Sequence, residues 1–382
     1  MRFVKSFIFA TLVAILASCA SEEGIAPKLV LSENSIEVWF DTDEYAVGVD
    51  ASHKWVATTD CEWITIDAPV GGATLRISFA ENSGDVAREG TVMLESSGSQ
   101  LSALLSVKQY EKREEYMQIT YKTVDRKALD MNWGNVFNAN VISNTYSNGE
   151  GLLKFDATLT SVNQEAFYNN TALYSISLPE SLQRIGSFAF TGCSYLASAN
   201  IPQRVKRIEM MAFAYCNSLE EIVIPNSVQE IQESAFCGCS GLKRIAGKFA
   251  SADERCLVID GALVQFAPDG VQQYVVPEGI TAIEHDAFYE SFSLREITIP
   301  ASVISIGDYA FYYCENLKSV HCKAATPPLL GDSVFDNFDG NTEKPIGCKI
   351  YVPAESVEAY KSAKNWDRYK GYINAENTIT NK

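Results

Sequence analysis

The stretch Leu219-Glu220-Glu221-Ile222-Val223-Ile224-Pro225, completed by Val228, Ile231 and Ala235-Phe236, decides the architecture. Leu-x-x-Ile-x-Ile reads as a short strand with its apolar side chains on one face. Pro225 has no N–H to donate and ends it. The same unit recurs on both sides. Ala166-Phe167, Ala189-Phe190, Ala212-Phe213 and Ala235-Phe236 stand 23 residues apart, Ala287-Phe288 and Ala310-Phe311 repeat that spacing, and Val334-Phe335 is a variant. Leu173, Leu196, Leu219, Leu242, Leu294 and Leu317 keep step, as do Ile185, Ile208, Ile231, Ile283 and Ile306. Pro179, Pro202 and Pro300 match Pro225. Fixed apolar columns at such a period mark a solenoid, whose units bury their apolar edges only by stacking on one another.

The spacing breaks once, between Ala235 and Ala287, by two periods plus six residues. This predicts that Cys256–Phe266 forms paired strands that protrude from the sheet or extend it. Cys193, Cys216, Cys239 and Cys314 share one column with Asn170 and Ser291. Side chains of one column stay about 4.8 Å apart and point the same way, whereas a disulfide needs Cβ atoms roughly 3.5–4.5 Å apart on converging vectors. The column is therefore expected to be a ladder of small buried side chains rather than of disulfides. Cys237, Cys256, Cys322 and Cys348 lie outside it and receive no partner from the sequence.

A ligand would use the strand face, where residues flanking the buried middle of each strand point outward. These are Ser175 and Ser177, Ser198 and Asn200, Glu221 and Val223, Glu296 and Thr298, and Ser319 and His321. A solvated face without a ligand is the competing expectation. On the neighbouring turn, Arg184, Arg204, Lys206 and Arg207 form a candidate basic patch, or else a solvated edge.

The repeat columns resemble BspA-like leucine-rich repeats over roughly residues 150–373. Ile119-Thr120-Tyr121, Asn144-Thr145-Tyr146 and Gly149-Glu150-Gly151 resemble the cap that precedes such arrays, placed at 119–165. Cys256-Leu257-Val258-Ile259-Asp260-Gly261-Ala262-Leu263 resembles the hairpin inserted within them, near 250–270. Ile350-Tyr351-Val352-Pro353 with Tyr360 and Trp366 resembles the terminal cap of a repeat region spanning 166–373, followed by a tail, 374–382.

Residues 27–110 read differently, as about seven short strands in a β-sandwich. Leu75-Arg76-Ile77-Ser78-Phe79 alternates strictly, and Gly71-Gly72 and Asn82-Ser83-Gly84-Asp85 supply turns. Trp55-Val56-Ala57, Cys61-Glu62-Trp63-Ile64-Thr65-Ile66, Ser78-Phe79-Ala80-Glu81-Asn82, Arg88-Glu89-Gly90-Thr91-Val92 and Ser106-Val107-Lys108-Gln109 resemble the BACON domain. That family's name records a proposed carbohydrate-binding role. Trp39, Trp55 and Trp63 are the sugar-stacking candidates, though a Trp in an alternating strand gains more by burial. Cys61 reads as a buried free thiol, and the charged stretch 111–118 as a linker.

Ahead of the sandwich, Met1–Lys5 is basic and Phe7–Leu16 is apolar, too short for a bilayer-spanning helix but suited to an export signal at 1–18. Leu16-Ala17-Ser18-Cys19 resembles a lipobox, which implies lipidation of Cys19 and a tether at 19–26. Two or three acyl chains anchor stably, at roughly 0.8 kcal/mol per buried CH₂. Ala20-Ser21-Glu22-Glu23 resembles the surface-export signal of Bacteroidetes lipoproteins. The expected location is the outer membrane, lipid-anchored and facing outward.

With 31 Lys and Arg against 48 Asp and Glu in 382 residues, the formal charge of −17 disfavours nucleic acid as a partner. The three histidines (His53, His285, His321) are scattered, and Gly-x-Ser-x-Gly, a P-loop and a dinucleotide-binding glycine run are absent. No catalytic residue, metal or cofactor is assigned. The fold expected is mainly β, an Ig-like sandwich followed by a leucine-rich-repeat solenoid. Two functions fit it: an adhesin-like interaction protein with the sandwich as spacer, or a glycan-capture lipoprotein of a polysaccharide-uptake system.

Overall fold

The computed structural model describes residues 26–67, 71–84, 86–131, 134–338 and 343–376. The expected export signal, the lipobox-like Leu16–Cys19 and almost all of the expected tether lie outside them. The chain forms two units that part between Lys112 and Arg113.

The first unit is a sandwich of two four-stranded sheets. One carries Leu29–Leu31, Glu44–Ala51, Thr74–Phe79 and Ile64–Ile66 in that order, all antiparallel. The other runs Ser35–Val38, Ser102–Gln109, Arg88–Ser96 and Trp55–Thr58, with the first pair parallel. The alternating positions Leu75, Ile77, Val92, Leu94, Leu105 and Val107 fill the space between them. An eighth strand, Leu29–Leu31, joins the seven expected; three residues are too few for periodicity to reveal it.

The second unit is the repeat array. Its longer strands lie in parallel register, Glu221↔Arg244 and Gln273↔Glu296↔Ser319↔Lys349 among the pairs. The Ile columns form a second parallel ladder of two-residue strands, such as Arg184–Ile185, Arg207–Ile208 and Glu230–Ile231. The Ala-Phe turns make a third contact between coils. Phe167, Phe190, Phe213 and Phe236 stack at centroid spacings of 5.0, 4.9 and 5.6 Å with planes within 9°. Beside them, the N–H of Phe190 and Phe213 donates to the carbonyl of Ala212 and Ala235 in the next coil, each at 2.7 Å. A buried Ala leaves the room for that approach.

Each turn has an uncommon backbone. The residue before Ala, or before Val334 in the variant turn, is left-handed whatever its identity: Glu165, Phe188, Met211, Ser234, Asp286, Tyr309 and Ser333 all have φ between 51° and 59°. Such a conformation costs roughly 1–2 kcal/mol for a residue with a Cβ. It turns an N–H toward the next coil, where Glu165 bonds Ser187 O at 3.1 Å and Phe188 bonds Met210 O at 3.0 Å. Those bonds offset the strain.

The hairpin insertion is present and extends the sheet rather than protruding. Cys256–Ile259 pairs antiparallel with Ala262–Phe266, whose other edge pairs parallel with Ala282–Ile283. It also divides the interior, since Leu257 and Ala267 pack into the apolar cluster before it and Cys256, Leu263 and Phe266 into the one after. Across that boundary Ser234 Oγ donates to Asp286 Oδ2 at 2.8 Å, and the rings of Tyr215 and Tyr289 meet edge-on at 6.0 Å.

Both ends are capped. Gln118–Thr123 runs antiparallel to Leu173–Ser177 and Glu150–Phe155, with Val141–Ser147 outside. Gly151 is required there, because a Cβ would stand 2.1 Å from the Tyr121 ring. At the far end Trp366 is fully buried, its Nε1 donating to Pro328 O at 2.8 Å. The 111–118 stretch is not a free linker. Tyr116 is buried and its carbonyl accepts Leu159 N–H at 2.8 Å, because the first coil needs a partner for that donor.

Candidate binding surface

The interior is closed by packed side chains, so ligand-accessible chemistry lies on the outer strand face. Two ladders of outward side chains run along it. After the insertion they read Gln273, Glu296, Ser319, Lys349 and, two residues on, Val275, Thr298, His321, Tyr351. Before it, Ser175 faces Ser198, and Glu221 and Val223 face Arg244 and Ala246. The alternation of each strand produces this face: Ile222, Ile224, Ile297 and Ile299 are buried while Glu221, Val223, Glu296 and Thr298 are not.

The predicted face residues come into register within three groups, Ser175 with Ser198, Glu221 and Val223 with the coil after them, and Glu296 and Thr298 with Ser319 and His321, but not all are available. Asn200 is exposed yet serves the fold: its Oδ1 accepts Leu178 N–H at 2.7 Å and its Nδ2 donates to Leu178 O at 3.0 Å. His321 stacks on Tyr351 at 4.9 Å, and its Nδ1 lies 3.0 Å from Glu376 Oε1. Glu221 is ion-paired to Arg244. Ser177, Ser198 and Val223 are exposed, Val223 by 47%.

Sequence reasoning missed Gln273 and Val275. Tyr274-Val275-Val276-Pro277 repeats the strand-ending pattern of Ile297-Thr298-Ile299-Pro300, and Pro277 was the available signal. It also missed two confluent hollows of about 490 and 180 Å³ on this face, which share Gln272 and Arg295. Glu296, Lys318 and Ser319 line the first, and Phe292, Ser293 and Asn316 the second.

The basic patch does not stand as expected. Arg184 pairs with Glu209 at 3.1 Å and Arg207 with Glu230 at 2.9 Å, so carboxylates of the next coil neutralise two of its cations. Lys206 is exposed and Arg204 half-buried beside them. A 23-residue offset sets Arg207 in register with both Arg184 and Glu230, which the Arg column alone did not reveal.

The sandwich tryptophans are likewise not presented for stacking. Trp39 and Trp55 are 5% and 1% exposed, and Trp55 Nε1 donates to Gly72 O at 3.0 Å. Trp63 is half-buried with the Arg88 guanidinium 4.5 Å above its ring. Burial gains more for these large rings than a surface position. Cys61 is free but half-buried rather than buried.

The column cysteines are buried and free, as the spacing predicts. They are more than small. Cys193, Cys216, Cys239 and Cys314 each donate to the carbonyl of the Phe one coil earlier, at 3.1–3.2 Å. Burial pushes the Cys193, Cys239 and Cys314 thiols up to about 12, which keeps them protonated donors. Of the unassigned cysteines, Cys256 Sγ lies 3.0 Å from Tyr274 OH. Cys237, Cys322 and Cys348 are buried and free.

Among the described residues no helix is long and apolar enough to cross a membrane. No curated protein matches the chain. Among solved structures it is similar to a leucine rich cell surface protein from Faecalibacterium prausnitzii at 22% identity and TM-score 0.38, over 57% of this chain and 63% of that one. The chain therefore spans less than two thirds of that protein's length. A leucine rich repeat protein of T. pallidum is 27% identical over 47% of this chain and 70% of that one, TM-score 0.30. Pneumococcal vaccine antigen PcpA is 20% identical over 57% and 70%, TM-score 0.33. BACON, a proposed N-terminal binding domain, matches residues 53–110. The BspA type leucine rich repeat region matches residues 143–252 and 265–347, in six copies. That is half of the sequence, and the chain belongs to the BspA type leucine rich repeat family, with a BACON domain ahead of its repeats.

Proposed function

We propose that the chain is a cell-surface lipoprotein, anchored in the outer membrane through Cys19, that works as a non-catalytic adhesion or protein-interaction module. The repeat array is its binding surface and the sandwich a spacer. One observation carries this reading: the outer strand face holds side chains of successive coils in register over a packed interior, which pre-orders an extended surface for a large partner. The lipobox and the acidic residues after Cys19 support the location. The test is binding of the full chain to immobilised extracellular-matrix proteins and to cells. Saturable binding is expected, and its absence across a broad panel overturns the reading.

Glycan capture is the second reading, and the hollows at Gln272 and Arg295 favour placing it on the array. The burial of Trp39 and Trp55 weighs against the sandwich using them for it.

A further inference from the structure

Cations on the strand face meet two fates. Ahead of the insertion, Lys243 is paired with Glu220 at 2.8 Å, and Arg244 with Glu221 and Glu254. Behind it, Arg295 and Lys318 take the place of Lys243 in two successive coils, joined through Lys318 N–H to Arg295 O at 2.8 Å. Both are exposed, and among the described residues neither has a carboxylate within ion-pair distance. They stand over the two confluent hollows. In a protein of formal charge −17, these two adjacent cations make a locally positive spot.

The rest of the lining states what kind of anion fits. Gln272, Gln273 and Ser319 offer donors and acceptors to hydroxyl groups, and the half-buried Glu296 carboxylate accepts from them. Asn316 spends Nδ2 on Phe292 O at 2.8 Å, which leaves its Oδ1 as an acceptor. Phe292 is 40% exposed and offers a ring face. Short acidic peptides fit less well. Clustered cations can hold their charges, but the modes that also bury a peptide add a strand to a sheet edge or an apolar face to a groove. Here Glu296–Ile299 is already paired on both edges, with Gln273–Val275 and with Ser319–Cys322, and Phe292 is the one large apolar side chain of the lining.

We propose that this groove, spanning the coils of Gln272, Arg295 and Lys318, binds an acidic oligosaccharide through its carboxylate or sulfate groups. The inference rests on the array being a binding surface and names the ligand class for one part of it. Arg295 and Lys318 hold the anionic groups, the amides bond ring hydroxyls, and Phe292 packs against a sugar face.

Calorimetry on the full chain tests it, with hyaluronan oligosaccharides (carboxylate), heparin oligosaccharides (sulfate), neutral dextran and a poly-glutamate peptide as probes. At least one acidic glycan is expected to bind, more weakly as salt rises from about 50 to 300 mM, and dextran not to. The two acidic probes distinguish carboxylate from sulfate recognition. The double variant Arg295→Ala/Lys318→Ala is expected to lose about tenfold or more in affinity and Phe292→Ala severalfold, while Lys206→Ala, the loss of one cation elsewhere, stays within about twofold. Unchanged melting temperatures would show that the variants fold. The assignment is overturned if no acidic glycan binds, if the double variant binds as well as the native chain, or if poly-glutamate matches the glycans and ignores Phe292→Ala. If matrix proteins or cells are still bound while every acidic glycan fails, the groove assignment falls and the wider reading stands.

Discussion

The thiol of Cys216 lies 3.2 Å from the carbonyl oxygen of Phe190, one coil earlier, and donates to it. This bond, repeated at Cys193, Cys239 and Cys314, ties the interior of its coil to the turn of the preceding one. Cys216→Ala removes this donor while the Phe190 carbonyl keeps the Cys193 N–H at 3.1 Å, and is expected to cost about 0.5–1.5 kcal/mol in urea unfolding. A variant as stable as the native chain would show that only the size of the side chain matters.

Phe213 stacks between Phe190 at 4.9 Å and Phe236 at 5.6 Å and is fully buried. Phe213→Ala opens a void that both neighbours line, with an expected loss of about 3–5 kcal/mol. Chemical denaturation measures it. A loss under about 1 kcal/mol would mean that the coils do not share their interior.

Glu165 is exposed and left-handed, with φ 59°. Glu165→Gly relieves the Cβ strain and is expected to be neutral or to stabilise by up to about 1 kcal/mol. Glu165→Val, β-branched at the same position, is expected to destabilise by more than that. The reverse order in thermal melts would contradict the turn geometry.

Burial, with Glu315 nearby, pushes the Glu290 carboxyl above its ordinary range. The folded chain then holds this proton more tightly than the unfolded chain, so stability falls as pH rises from about 4.3 through the raised value. Glu290→Gln imitates the protonated form. It is expected to raise the melting temperature at pH 7, with the gain vanishing below about pH 4. A lower melting temperature at pH 7 would refute the assignment.

Much of this was legible because the repeat columns are side-chain requirements. Phe213 must stack, Ala212 must be small and Pro225 must stop a strand, so each leaves a mark at a fixed spacing. The left-handed turns left none, since Glu165, Phe188, Met211 and Ser234 share a backbone conformation and no chemistry. The second ladder was hidden by its two-residue strands, too short for a period. On the surface, outward positions followed from alternation, but their commitments did not. That Arg207 would pair with Glu230 and Asn200 with Leu178 depends on register between coils, which one unit read alone does not contain.

The most direct test of the outer strand face as the working surface is a binding comparison. The native full chain and the variant Ser177→Arg/Ser198→Arg/Val223→Arg/Thr298→Arg would be applied to the same panel of matrix proteins, cells and glycans. All four side chains point outward from strands, so the variant should fold with near-native stability. The account predicts that the native chain binds at least one member of the panel and that the variant loses that binding. A folded variant that binds as well as the native chain would contradict it.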